Sequence, residues 1–176
     1  MGKKPLKIIG SLFFLGMISA VFYFASIGFA ASARAPEIIS STWINSEPIK
    51  MEELRGKVVM VEFWTFGCWN CRNIEPYVKE WHQKYAKDGL VVIAVHSPEF
   101  SYEKEFDKVK NYVQENNISY AVPIDNEFRN WRRYRNRYWP TLYGIDKKGT
   151  IQYTRIGEGA YEQTEKTIQR LLAEPA

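Results

Sequence analysis

The sequence is poor in cysteine and histidine, with only two of each among its 176 residues. Neither histidine, His82 or His96, stands at a zinc-finger spacing from Cys68 and Cys71, which argues against a Cys2His2 site. We expect both histidines at the surface or half-buried. We expect neither a metal nor another cofactor. The chain also lacks internal repeats.

Charge is absent between Ile8 and Ala33, directly after a short N-terminal stretch with three lysines. A positive stretch, an apolar stretch and the small residues Ala31-Ser32-Ala33 are the parts of a secretory signal peptide. The apolar stretch is longer than such a signal needs, and a membrane span takes roughly 20 residues. Residues 1–33 are therefore predicted to be either a signal peptide or an N-terminal transmembrane anchor.

Both alternatives place the rest of the chain outside the cytoplasm. We expect residues 8–31 to anchor the protein in the membrane, with secretion after cleavage near Ala33 as the alternative. No cysteine lies near this segment, so a lipid-modified cysteine is excluded. The expected location is the periplasm or the outer face of the cytoplasmic membrane.

The formal net charge of +4 comes mainly from the N-terminal segment. Residues 34–176 keep 21 basic against 20 acidic residues, because the segment before them holds three lysines and no acid. A nearly neutral body gives no reason to expect a nucleic-acid partner. The run from Arg129 to Trp139 has five arginines and four aromatic residues, which we interpret as a helix with buried aromatics and solvated arginines. A role of this run in docking a partner stays open, because such residues are enriched at interfaces.

The two cysteines form the motif Cys68-Trp69-Asn70-Cys71, which follows the apolar run Val58–Trp64 and precedes a helical pattern. Thiols at i and i+3 of a helix lie on one face and can form a disulfide. A disulfide that closes so short a loop removes little unfolded-state entropy. The pair is therefore predicted to be a redox couple, with a Cys68–Cys71 disulfide as its oxidised form. Cys68, at the helix N-terminus, is the expected nucleophile, and Cys71 is the expected resolving thiol.

Strand and helix patterns alternate along the rest of the chain, which predicts a three-layer α/β domain over residues 51–176. Residues 34–50 are predicted to be an irregular lead-in. The predicted strands are Val58–Trp64, Leu90–Val95, Tyr120–Ile124, Leu142–Ile145 and Ile151–Tyr153. A helical turn is predicted at Met51–Arg55, and helices are predicted at Trp69–Lys87, Tyr102–Asn116, Glu127–Arg137 and Tyr161–Leu172.

The stretch Glu62–Cys71 resembles the active-site segment of the thioredoxin superfamily. From Trp43 to Leu172 the chain resembles the exported, membrane-tethered TlpA/DipZ-type (redoxin) thiol–disulfide oxidoreductases of that superfamily. The stretches that carry this second resemblance are Leu54–Val59, Gly89–Ile93, Tyr138–Thr141 and Gly157–Gly159. The resemblance implies a thioredoxin-like fold, with a central mixed β-sheet flanked by helices. It also implies an extra strand–helix insertion between the cysteine helix and Pro140, which we expect to influence the choice of partner.

The resemblance also implies roles for individual residues. Glu62 stands six residues before Cys68, where thioredoxins have an acid that takes a proton from the resolving thiol, and burial should raise its pKa. Pro76 stands where the helix of the family is kinked. Pro140 corresponds to a cis-proline that leaves the backbone of the preceding residue free to pair with an extended substrate. The expected catalytic residues are thus Cys68, Cys71 and Glu62, and the expected substrate-binding residues are Trp69, Asn70, Trp139, Pro140 and Thr141.

The predicted function is that of an extracytoplasmic thiol–disulfide oxidoreductase. By resemblance it is a reductase that passes electrons from a membrane-embedded donor to the disulfides of exported proteins. A disulfide-forming oxidase is the alternative within redox chemistry. Two other classes stay open: a thiol peroxidase, because Thr65 lies three residues before Cys68 as in peroxiredoxins, and a non-catalytic binding module, because a fold does not fix a function.

Overall fold

The computed structural model describes Gly2 and residues 33–175. The signal peptide or anchor predicted at residues 1–33 therefore lies almost entirely outside the described residues. No helix within the described part of the chain has both the length and the apolar character that crossing a membrane requires.

Residues 33–175 form six strands and four α-helices, joined by three short 3-10 helices. In chain order the strands are β1 (Trp43–Ile44), β2 (Val58–Trp64), β3 (Leu90–His96), β4 (Val122–Pro123), β5 (Thr141–Ile145) and β6 (Ile151–Ile156). The helices are α1 (Trp69–Tyr85), α2 (Phe106–Glu115), α3 (Arg129–Arg133) and α4 (Tyr161–Ala173). The 3-10 helices are Met51–Leu54, Ala86–Asp88 and Ser101–Lys104.

The main sheet has the order β3-β2-β5-β6 and mixes both strand directions. The pair β2–β3 is parallel, and the pairs β2–β5 and β5–β6 are antiparallel. All residues of β2 are buried, as a central strand covered on both faces requires, and this explains its continuous apolar run. The short strands β1 and β4 form a separate antiparallel pair. The mixed sheet predicted from the sequence is confirmed.

Two hydrophobic clusters cover the two faces of this sheet. Along β2, Met60 and Trp64 belong to the cluster that includes α1, α2 and α4, and Val61 and Phe63 belong to the other. This alternation follows from the two-residue period of a strand. The second cluster takes in Ala35 and Ile38 from the predicted lead-in, Met51, and Tyr134, which follows α3. Ala35 and Ile38 of the predicted lead-in therefore pack against the sheet. The lead-in is not wholly irregular, because it contains β1.

Two predicted helices are shorter than their sequence patterns indicate. In place of one helix at Tyr102–Asn116, a 3-10 turn ends before Glu105, which has an extended backbone, and α2 follows. In place of a helix at Glu127–Arg137, only Arg129–Arg133 is helical. Phe128 and Arg135 both have φ above +50° and so end the helical backbone on each side.

The other boundaries differ less. The predicted strand Tyr120–Ile124 is reduced to β4, with single parallel bridges joining Ala121 and Ile124 to β3. The first helix ends at Tyr85 and continues as a 3-10 turn up to Gly89, whose φ of 103° stops it. Pro76 lies inside this helix, as predicted.

Candidate active site

The two cysteines lie where β2 is joined to α1. Strand β2 ends at Trp64, and Cys68 has an extended backbone and is the N-cap residue of α1. The backbone N–H of Cys68 donates to the carbonyl of Thr65 at 3.3 Å, which closes a tight turn between strand and helix. Both cysteines are buried and both are free thiols. The structure is therefore that of the reduced dithiol, with Cys71 one turn further into the helix.

The environment separates the acidities of the two thiols. The hydrogen bond from the Cys71 thiol lowers the pKa of Cys68 to about 7; burial opposes this, and the backbone N–H groups of Cys71 and Asn70 add to it. These N–H groups belong to the first turn of α1, where helical N–H groups lack helical partners. For Cys71, burial first and then the hydrogen bond with Cys68 raise the pKa. Cys68 is thus the thiol that ionises near neutral pH, in line with its predicted role as nucleophile.

Glu62 is a buried carboxyl in the middle of the main sheet. It lies on β2 between Ala94 of β3 and Leu142 of β5, and only 3% of its surface is exposed. Burial first, then Glu75 and Cys68, raise its pKa to about 8. The raised pKa predicted from the sequence is confirmed. Its charge in turn contributes to the raised pKa of Cys71, which places it within electrostatic reach of the resolving thiol.

A second buried acid, Glu75, lies one helical turn beyond Cys71. Its carboxylate accepts hydrogen bonds from Lys79 at 2.8 Å and from the Tyr112 hydroxyl at 2.7 Å, so it is an ion-paired group. Burial and then the bond to Glu75 raise the pKa of Tyr112. Sequence reasoning missed Glu75, although its spacing of four residues from both Cys71 and Lys79 was a usable signal.

The loop before β5 lies at the same end of the sheet as the dithiol, because Thr141 pairs with Phe63 near the end of β2. The Trp139–Pro140 peptide bond is cis, as the resemblance implied. The Trp139 indole donates to the carbonyl of Ser97 at 2.9 Å, and the Thr141 hydroxyl donates to the carbonyl of Tyr138 at 2.8 Å. Within residues 33–175 the backbone N–H and C=O of Trp139 have no hydrogen-bond partner. This loop can therefore pair with an extended chain.

The other expected substrate-binding residues directly follow Cys68 in the first turn of α1. Trp69 is 71% exposed, and Asn70 is also exposed. An indole with that much exposed surface beside a reactive thiol can contact whatever approaches the thiol. Substrate binding by these residues stays a prediction.

His96 is fully buried, so the expectation of a surface or half-buried position was wrong for this residue. It pairs with Trp64 at the end of β3, and the Phe66 ring stacks on it with centroids 5.7 Å apart. Its Nε2 lies 3.3 Å from the hydroxyl of Thr65. Burial lowers the pKa of His96 to about 3, so the imidazole is neutral at physiological pH.

His82 is half-buried, as expected. Neither histidine belongs to a cluster that could hold a metal ion in the described part of the chain, which contains no such cluster. Thr65, the residue behind the peroxidase alternative, has its hydroxyl in contact with His96.

Glu103, from the predicted insertion, holds the loop that leads to Cys68. It is fully buried, and one carboxylate oxygen accepts the backbone N–H of Gly67 at 2.8 Å. The other oxygen accepts the N–H groups of Glu99 and Phe100 at 2.6 and 2.8 Å. A Cβ at Gly67 would overlap the carboxylate, so only glycine allows this approach. Sequence reasoning assigned Glu103 to the polar face of a helix and did not find this contact.

A reduced Cys-x-x-Cys at a strand-to-helix junction, a buried acid in that strand and a cis-proline at the same end of a mixed sheet define a thioredoxin-fold protein with a dithiol site. The AhpC/TSA family model matches residues 32–154. The chain belongs to the AhpC/TSA family, and within the thioredoxin superfamily it is of the TlpA/DipZ type.

Individual relatives agree with this assignment. Protein DipZ of Mycobacterium tuberculosis is 42% identical over 142 residues, which are 78% of this chain but only 20% of DipZ. The thiol-disulfide oxidoreductase ResA of Bacillus cereus is 31% identical over 138 residues, which are 78% of this chain and 76% of ResA. The solution structure of a thioredoxin-like protein in the oxidised form has 30% identity and a TM-score of 0.73, covering 81% of this chain and 97% of that one.

Proposed function

We propose that the protein is a thiol–disulfide oxidoreductase that exchanges electrons with protein disulfides through Cys68 and Cys71. The observation that carries this proposal is the difference between the pKa values of the two thiols. The pKa of Cys68 is lowered to about 7 at the mouth of α1, and that of the deeper Cys71 is raised. Cys68 is then partly ionised and able to attack a disulfide at neutral pH, while Cys71 stays protonated until the mixed disulfide must be resolved.

In the first half of the reaction the Cys68 thiolate attacks one sulfur of a substrate disulfide. The substrate S–S bond breaks, a mixed disulfide with Cys68 forms, and the departing substrate sulfur leaves as a thiolate that takes up a proton from water. The free backbone groups of Trp139 pair with the substrate segment and hold its disulfide in line with Cys68.

In the second half the thiol of Cys71 loses its proton to Glu62 and attacks Sγ of Cys68. The mixed disulfide breaks, the second substrate thiol is released, and the Cys68–Cys71 disulfide forms; the substrate has gained the two electrons that the dithiol has lost. The Cys68 thiolate is one cause of the raised pKa of Glu62. Because the mixed disulfide removes that charge, the pKa of Glu62 falls and the carboxyl releases its proton to solvent. The resulting carboxylate is the base that takes the proton of Cys71.

The proposed direction is reduction of substrate disulfides. The stronger the stabilisation of the thiolate, the more stable the reduced form and the more oxidising the couple. Here the charged group that acts on Cys68 is Glu99, which works against the thiolate, and the pKa is about 7. That value matches thioredoxin, at about 7, and not the strong oxidant DsbA, at about 3.5. After each turnover the disulfide of the chain needs an electron donor.

We further propose that the protein works outside the cytoplasm, anchored by residues 8–31, with exported proteins as substrates and a membrane-embedded partner as donor. The support is the N-terminal sequence, where three lysines precede an uncharged stretch long enough to span a bilayer. Labelling of Cys68 in intact cells with a membrane-impermeant maleimide tests the location. Labelling only after the membrane is permeabilised would contradict it.

A trapping experiment tests the reaction itself. In the whole chain with Cys71→Ser, the mixed disulfide cannot be resolved, so Cys68-linked partners should accumulate and be released by reductant. Cys68→Ser is the matched control and should trap none. If both variants trap nothing and Cys68→Ser leaves activity unchanged, the chain is a binding module. Rapid consumption of peroxide by Cys68 would instead identify a peroxidase.

The reduction potential decides the direction. We expect a value near that of thioredoxin, about −270 mV, for the couple in the whole chain equilibrated with glutathione or dithiothreitol buffers. A potential close to about −120 mV would mean that the protein forms disulfides in its substrates.

A further inference from the structure

A group of arginines that form no salt bridge within the described chain lies directly before the cis-proline loop. All five arginines of α3 and the turn after it are exposed, and no acidic residue occurs between Phe128 and Ile145. No salt bridge of the described chain involves any of them. We call this group the arginine surface; its members are Arg129, Arg132, Arg133, Arg135 and Arg137.

The arginine surface stands in contrast to the rest of the body. Residues 34–176 hold 21 basic and 20 acidic residues, so without these five arginines 16 basic residues face 20 acidic ones. The positive charge is thus local, concentrated in nine residues of an otherwise acidic domain. Such a patch attracts negative groups over about one Debye length, roughly 8 Å at physiological salt.

Aromatic packing fixes the arginine surface relative to the dithiol. The Trp131 ring lies 4.2 Å from the Trp139 ring and 5.9 Å from that of Phe63, and the Tyr134 ring lies 5.2 Å from Phe63. Phe63 belongs to the strand that leads to Cys68. The arginines are therefore carried on a support that also holds the residue before the cis-proline.

A carboxylate network fixes the start of α3 as well. Asp125 is buried, and its two oxygens accept the backbone N–H groups of Asn130 and Trp131 at 3.0 and 2.9 Å. The Asn130 amide is bonded in turn to the backbone of Ile39. Because the aromatic packing and the Asp125 hydrogen bonds fix its backbone, the arginine surface is preorganised for binding. Preorganisation limits the entropy lost when a partner docks.

We propose that the arginine surface docks an acidic polypeptide segment adjacent to the substrate disulfide, an inference that rests on the proposed function. A chain paired with the backbone of Trp139 continues past Tyr138, which is 55% exposed, toward Arg137 and Arg135. Carboxylates of that chain accept paired hydrogen bonds from the guanidinium groups. The unbonded backbone of Trp139 beside these arginines suits an extended polypeptide rather than a lipid head group, so a polypeptide is the occupant that fits.

The test compares three synthetic peptides that share one intramolecular disulfide and differ only in flanking residues: acidic, neutral or basic. For the reduced whole chain we expect kcat/KM for the acidic peptide to exceed that for the neutral one by about tenfold at low salt, with the preference fading as salt is added. The variant Arg132→Gln, Arg135→Gln, Arg137→Gln should lose the preference.

A charge-matched variant separates this surface from net charge. Lys57→Gln, Lys87→Gln, Lys110→Gln removes the same charge from exposed positions outside the loop and should keep the preference for the acidic peptide. All peptide rates are normalised to oxidation of Cys68 by the neutral disulfide 2,2′-dithiodipyridine. Equal rates for all three peptides would overturn the docking proposal and leave the proposed function intact.

Two other outcomes are equally decisive. If dithiodipyridine oxidises Cys68 but no peptide is reduced, the proposed function itself fails. In the other outcome, the protein binds phosphatidylglycerol vesicles or an oligonucleotide, the arginine variant loses that binding, and the three peptide rates are equal. This result would assign the arginines to a membrane or a nucleic acid and would overturn the proposal of a polypeptide partner.

Discussion

Glu62 makes the stability of the reduced protein depend on pH in a way that can be calculated. Its pKa is about 8 in the folded chain and 4.5 when the carboxyl is unperturbed, as in an unfolded chain. Between these values the folded state keeps a proton that the unfolded state has lost. The free energy of unfolding therefore falls as the pH rises from 4.5 to 8 and then levels off. The stability associated with neutral Glu62 is fully present below pH 4.5.

The size of the effect follows from the gap between the two values. At about 1.4 kcal/mol per pKa unit, the difference between about 8 and 4.5 corresponds to about 5 kcal/mol. A domain of this size is stable by only about 5–15 kcal/mol. Ionisation of Glu62 at alkaline pH therefore lowers the free energy of unfolding by a large part of its total.

The variant Glu62→Gln removes the proton and keeps nearly the same shape. In urea unfolding of the reduced protein, the variant and the wild type should differ by a constant amount below pH 4.5. The variant should then gain on the wild type as the pH rises, by about 5 kcal/mol at pH 8. Glu80→Gln, at an exposed position of the same helix as the dithiol, is the control and should show a difference within about 0.5 kcal/mol at every pH.

The pH dependence is the decisive reading, because a packing defect in Glu62→Gln would shift the stability equally at all pH values. A difference that stays flat from pH 4 to pH 9 would mean that Glu62 is ionised in the folded protein. The raised pKa of Glu62 would then be refuted, and with it the proposed gain of a base when the mixed disulfide forms.

Three further predictions concern the loop around the nucleophile. The rate of alkylation of Cys68 should rise with pH through a midpoint near pH 7. The variant Cys71→Ala should move that midpoint upward, because the hydrogen bond from the Cys71 thiol is the first cause of the lowered pKa of Cys68. An unmoved midpoint would contradict this. Gly67→Ala should cost about 1–3 kcal/mol in urea unfolding, because its Cβ overlaps Glu103. Glu103→Gln should cost about 1–3 kcal/mol, since an amide turns N–H groups toward backbone N–H donors. Wild-type stability in either variant would show that the loop adapts freely.

Local sequence patterns were sufficient for the parts of the fold where one short segment decides the structure. The run Val58–Trp64 is apolar on both faces, which is typical of a covered strand, and the strand in the structure has the same bounds. The cysteine helix begins at the predicted Trp69 for the same reason: its pattern starts directly after the motif.

The arginine run was harder because its helix is ended by backbone conformations that the sequence does not display. Phe128 and Arg135 adopt left-handed φ values that neither residue favours by itself. Tertiary contacts accompany them, since Trp131 within the helix and Tyr134 directly after it both pack against Phe63. The expectation of solvated arginines is confirmed, but that of buried aromatics was only partly right, because Tyr134 is buried, Trp131 and Trp139 are half-buried and Tyr138 is exposed. The helix is less than half as long as predicted.

Buried polar residues were the least predictable part of the site. Glu75 and Glu103 lie in amphipathic patterns where a charged residue is ordinarily solvated. Their burial depends on partners far along the chain, Tyr112 for Glu75 and Gly67 for Glu103. His96 is similar: it lies at the end of its strand, and it is buried because the rings of Trp64 and Phe66 pack against it.

The insertion between the cysteine helix and the cis-proline holds the backbone and side chains around the dithiol in place. Glu103 holds the N–H of Gly67, one residue before the nucleophile, and the carbonyl of Ser97 holds the indole of Trp139, one residue before the cis-proline. The turn before Cys68, through its backbone, and the loop before Pro140, through the Trp139 side chain, are thus both hydrogen-bonded to residues 97–103. A shift of that one segment would move both together, so the position of Cys68 relative to the proposed substrate-pairing backbone of Trp139 depends on the insertion as well as on the sheet.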